Sequence, residues 1–168
     1  MDTVHLSDPE FDKNSYFKRL ESTVYLFLAL PMLAFGWVFL EKEKAGELRS
    51  VFYENPDLMF HGVMAIGAAY IIMRTTATWA RDMRKATEPF KELDIKLKML
   101  RKPIIYRNIL WAIGAGIGAY GLYEKGDMMY ALVFSIFLIL MTANRPSGRY
   151  FARLLKLKGE ERKWMEAR

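Results

Sequence analysis

STVYLFLALPMLAFGWVFL, residues 22–40, is nineteen residues without a charge, held between Glu21 and Glu41. As a helix rising about 1.5 Å per residue it covers roughly 28 Å, close to the roughly 30 Å hydrocarbon core of a bilayer. Pro31 lies mid-span, where it removes one backbone hydrogen bond and predicts a kink.

Three further blocks repeat the pattern. Asn55-Pro56-Asp57 reads as a helix start, with a capping Asn, Pro at the first helical position and an acid on the positive dipole end. The second span then runs from Leu58 to about Ala80, interrupted only by Arg74 near its far end. The third begins after Pro103 and covers 104–123, with Arg107 one turn inside. The fourth, 128–144, is short and must borrow length from its flanks or thin the bilayer. Glu124, Lys125, Gly126 and Asp127 form a tight turn between the last two. The expected fold is an all-α membrane protein: four transmembrane helices in a bundle of two hairpins. An arm (1–21) precedes this domain (22–144), and a basic tail (145–168) follows it.

Composition agrees. Hydrophobic residues make up 52% of the 168 and charged residues 26%, yet mean hydropathy is zero because the two are segregated in blocks. A soluble domain would spread them at helix or strand period. With no Cys there is no disulfide and no thiol ligand, and His5 and His61 are the only histidines. The opening residues, with four acids and one Lys before Tyr16, do not read as a cleavable leader.

The net charge of +6 is also segregated. Lys13, Lys18 and Arg19 in the arm, eight cations over 81–102 and eight from Arg145 onward total nineteen. The 41–57 connection and the 124–127 turn together hold four. The positive-inside rule therefore places both termini and the middle loop on the cytoplasmic or matrix side, and it accounts for the basic residues without nucleic acid. Tyr16, Tyr25, Trp37, Trp79, Tyr106, Tyr123 and Tyr130 fall near span ends, as interfacial anchors.

The middle loop carries Phe90, Leu93, Leu97 and Leu100 at helical spacing among Lys91, Glu92, Lys96, Lys98 and Arg101. The tail does the same with Tyr150, Leu154, Leu155 and Leu157, until Gly159 breaks it. Both predict amphipathic basic helices lying on the membrane surface or against a partner.

Few residues offer chemistry. Gly116, Gly118 and Gly121 match GxGxxG in spacing, but an apolar helix supplies neither the strand nor the turn that the dinucleotide motif needs. Gly114 and Gly118, with Ala65 and Ala69 on span two, are read instead as close-packing positions between helices. Arg74, Arg81, Arg107 and Arg145 fall near one interface and form a candidate anionic-lipid site, cardiolipin-like; snorkelling to ordinary headgroups is the plainer reading. His61 has no second histidine at membrane depth with which to hold a haem. No Asp or Glu falls inside the four spans, although coupled transport usually requires an intramembrane carboxylate. Glu88, Glu92 and Asp94 read as a solvated face among lysines. No catalytic, cofactor or metal set emerges.

The expectation is a non-catalytic accessory subunit of a larger membrane complex, supporting assembly, subunit contacts and lipid binding. A supernumerary subunit of a respiratory-chain complex in the mitochondrial inner membrane is favoured, with a bacterial plasma membrane as the alternative. The competing class is a small homo-oligomeric transporter or channel assembled through the span-three glycines. A membrane enzyme would need a nucleophile or metal site that is not visible.

Overall fold

The computed structural model describes residues 8, 10–49, 57–87 and 92–167. Six helices follow in order: α1 Lys13–Lys44, α2 Leu58–Ala86, α3 Leu93–Lys125, α4 Met129–Ala143, α5 Gly148–Leu154 and α6 Gly159–Glu166. Among the described residues there is no strand, only one isolated bridge between Arg49 and Asp127.

Helix α3 is the hub, packed on α1, α2 and α4. The ends of the bundle are fixed by contacts. At the turn end, Arg49 donates its amide to Gly126 O (2.8 Å) and accepts from Met128 N (3.2 Å), and Lys125 pairs with Asp57 (2.9 Å). At the opposite, basic end, Tyr16 Oη donates to Leu97 O (2.6 Å), and Lys13 Nζ donates to the carbonyls of Trp164 and Ala167. The four long helices therefore alternate in direction. Gly126 closes α3 in the left-handed region (φ 65°), and a Cβ there would strike the Glu47 carbonyl. The turn needs glycine for both reasons.

Two helices, α1 and α2, are long and apolar enough to cross a membrane, and only 17% of the most apolar stretch of each is buried. A third candidate arises if α4 and α5, bent by 86°, form one broken span. Length and composition thus support a membrane protein with two such helices, where the sequence predicts four. The reasons differ by helix. The apolar run of α3 is diluted by Arg107, Asn108 and four glycines, and α4 has only fifteen residues, about 22 Å.

Other boundaries also differ. Helix α1 begins at Lys13 rather than Ser22, so most of the described arm is the same helix as the first span. Asp57 itself caps α2, accepting from Phe60 N (3.2 Å), whereas Asn55 and Pro56 lie outside the described residues. Pro103 does not open the third span but lies inside α3, which starts ten residues earlier at Leu93. The middle-loop helix is therefore the first part of α3.

That segment does not lie on the surface. Leu93, Leu97, Leu100 and Ile104 are buried with Leu20 and Val24 of α1, Ala86 of α2, and Phe151, Ala152, Leu157 and Met165 of the tail. Phe90, Lys91 and Glu88 fall outside the described residues. Asp94, expected on a solvated face, is fully buried and pairs with Lys98 (3.4 Å). The amphipathic stripes read from sequence close on each other. They form a second core beyond the span.

Candidate functional site

The most enclosed cation among the described residues is Arg107, 5% exposed on α3. Its guanidinium stacks over Trp79 of α2 (3.8 Å to the ring centre) and beside Trp111 one turn on (4.7 Å). It donates to Tyr150 Oη in α5 (3.0 Å). No carboxylate among the described residues lies within ion-pair distance. The two indole faces supply the negative potential that a weakly hydrated, planar cation accepts. The Arg107 Nε and Trp111 Nε1 donors and the Asn108 Oδ1 acceptor, all buried, have no partner among the described residues.

The other three arginines of the expected lipid site lie elsewhere in the contact pattern. Arg145 follows α4, 3.6 Å from Glu21 and over the Tyr25 ring (5.0 Å), so it joins α4 to α1. Arg81 is exposed beside Asp82 (3.7 Å), and Arg74 is exposed on α2. No described contact links these residues to Arg107. Sequence reasoning missed Tyr150 and Trp79 as Arg107's partners. The sequence marks them only as apolar or interfacial positions, and nothing in their spacing, 43 and 28 residues from Arg107, signals a contact.

Gly114, Gly118 and Gly121 lie against α4. A Cβ on Gly114 would enter the Phe137 ring, and one on Gly121 would enter the Tyr130 ring. On Gly118 it would meet backbone, 2.8 Å from Phe134 N and 2.9 Å from Tyr130 O. Ala65 and Ala69 behave otherwise, because both are exposed. Helix α2 meets the core through Ile71, Ala68 and Thr75 instead. The small-residue pair of span two lies on the wrong face for packing within this chain.

At the turn end His61 is not solitary. Its Nδ1 lies 2.8 Å from Tyr130 Oη, the rings stack 5.6 Å apart, and Nε2 is 4.0 Å from Asp127. Asp127 also accepts from Met129 N (2.9 Å), opening α4. Lys125 holds the Asp57 carboxyl below its ordinary value, chiefly through their hydrogen bond. This polar cluster ties α2 to the α3–α4 turn. It was invisible in sequence because 66 residues separate His61 from Asp127.

At the basic end, burial pushes the Tyr16 hydroxyl well above its ordinary value and lowers that of the Lys13 ammonium. Among the described residues no group of three or more His, Cys, Asp or Glu side chains is placed to hold a metal ion. Comparison with protein-family models, curated proteins and solved structures finds no match to the chain.

Proposed function

We propose that this protein crosses a bilayer four times and acts as a non-catalytic accessory subunit of a larger membrane complex. Its termini then face the cytoplasmic or matrix side. Four crossings are supported by the way α3 is enclosed. Three neighbouring helices pack on it, so Arg107, Asn108, Gly114, Gly118 and Gly121 face protein rather than lipid, and low hydropathy is no obstacle to insertion in such a place. The alternating helix directions and the nineteen-to-four division of cations support the sidedness.

The observation that carries the subunit reading is the folded basic layer. The start of α1, the start of α3 and the tail share one apolar core, and Lys18, Arg19, Arg101, Lys102 and Lys158 are exposed around it. A rigid cationic platform on one face of a small bundle suits docking to acidic surfaces of neighbouring subunits and to anionic lipid, with Arg74, Arg81 and Arg145 as headgroup contacts. Arg107 completes the proposed lipid set only where Tyr150 yields its place. Energy-transducing membranes are the commonest home of such small basic subunits. A respiratory-chain complex of the mitochondrial inner membrane is our first placement, and a bacterial plasma membrane the second.

Affinity purification in a mild detergent tests this. Co-purification with subunits of a redox or ATPase complex is the expected result. A homo-oligomer that conducts ions in liposomes would contradict it. The channel reading is weakened by Gly114 and Gly118, which α4 already covers.

A further inference from the structure

A cavity of about 560 Å³ opens at the basic end between the start of α1 and the tail. Its walls include Lys13, Glu21, Arg145, Ser147, Arg149 and Glu166. We propose that this cavity binds the phosphodiester headgroup of an anionic phospholipid. The proposal rests on the membrane-spanning reading above and replaces a loose set of arginines with one recess at the basic end.

Depth supports it. Glu21 is the last charge before the 22–40 block and Arg145 the first after the 128–144 block, so the cavity lies where phosphates lie. The apolar surface begins directly beside it, at Tyr25, which is 40% exposed and carries Arg145 on its ring. The 86° bend between α4 and α5 brings Arg149 to the same walls as Arg145.

Charge supports it too. The acids are engaged, Glu21 by Arg145 (3.6 Å) and Glu166 by Arg162 (2.9 Å). The cations retain donors. Lys13 uses two of its three N–H groups on the Trp164 and Ala167 carbonyls, which fixes the ammonium in place. Arg149 has no ion pair among the described residues, and the guanidinium of Arg145 offers five N–H groups to one carboxylate oxygen at long range. Two guanidinium forks and an ammonium suit a phosphodiester, whose two free oxygens accept bidentate bonds. The volume falls in the range of about 300–1,000 Å³ typical of ligand sites.

The test measures phosphatidylglycerol retained by the detergent-purified full chain, using native mass spectrometry, with phosphatidylcholine as reference. Arg145→Gln with Arg149→Gln is compared with Arg153→Gln, which removes an exposed charge from the same short helix outside the cavity. Phosphatidylglycerol should bind at least about tenfold more tightly than phosphatidylcholine. That preference, the span of about one charge-assisted hydrogen bond, should vanish in the double variant and hold within about twofold in Arg153→Gln. Arg149→Lys, which keeps the charge, should restore part of the binding if the double variant folds poorly. Equal loss in Arg153→Gln would overturn the proposal in favour of diffuse surface charge. Displacement of the lipid by millimolar inorganic phosphate would overturn the lipid source in favour of a soluble phosphate. A chain that alkaline carbonate strips from membranes would overturn the spanning reading itself, separately from either result.

Discussion

Gly118 and Gly116 stand two positions apart on α3 and meet different surroundings. A methyl at Gly118 would press on α4 backbone, whereas one at Gly116 would find nothing within 4 Å. Gly118→Ala should therefore destabilise the bundle by about 1–3 kcal/mol, the usual range for overpacking. Gly116→Ala should be neutral or gain up to about 1 kcal/mol of helix propensity. Thermal unfolding of the two variants in detergent checks the contrast; equal effects would mean that α4 does not cover this face. Tyr16→Phe should lose about 1 kcal/mol by removing the bond to Leu97 O, with the same assay as readout. Spacing in the sequence was enough to mark Gly114 and Gly118 as packing positions. It misled for Ala65 and Ala69, because small residues at that interval mark a face without saying which neighbour covers it. The Arg107–Tyr150 bond and the His61–Tyr130–Asp127 cluster were beyond reach for the same reason: each joins residues distant in the chain.

The helices themselves were legible, and their ends were not. Apolar runs locate α1, α2 and α3, but helix does not stop where charge begins. Lys13–Arg19, Arg81–Ala86 and Leu93–Lys102 all continue the apolar runs as helix. Pro103 looked like a start signal because proline is favoured in a first turn. Inside α3 it leaves one carbonyl without an intrahelical partner and ends nothing. The stripes are helical over Leu93–Leu100 and Tyr150–Leu154, whereas Leu155 and Leu157 lie beyond the end of α5 and Gly159 opens α6 rather than breaking a helix; what the stripes face was not legible, since a stripe fits a membrane surface and a protein core equally well. In the tail, Phe151 is fully buried and stacks edge-on with Phe17 of α1 (5.3 Å). Phe151→Ala should detach α5 and α6, with a loss of about 3–5 kcal/mol. Limited proteolysis should then cut at Lys156 and Lys158 much faster than in the unaltered chain. An unchanged cleavage rate would show that the tail is not held by this core.

Over the whole molecule, the distribution of exposed apolar side chains follows the hydropathy of the sequence. Leu26, Leu30, Leu33 and Trp37 of α1, Met59, Val63, Ile66 and Met73 of α2, and Leu132, Ile136 and Ile139 of α4 are each at least 50% exposed. So large an apolar surface on a small monomer belongs against hydrocarbon or against other apolar helices. The proposed four-span reading gives α3 more weight than hydropathy alone does, because an enclosed helix is not selected for contact with lipid. The absence of cysteine makes the count measurable, since single-cysteine variants label without background. Glu43→Cys, Thr87→Cys, Glu124→Cys and Glu161→Cys sample both ends of the bundle. With an impermeant thiol reagent on sealed vesicles, Glu43→Cys and Glu124→Cys should react from one side, and Thr87→Cys and Glu161→Cys from the other. Labelling of Glu124→Cys from the same side as Thr87→Cys would mean that α3 does not cross, and would contradict the four-span account.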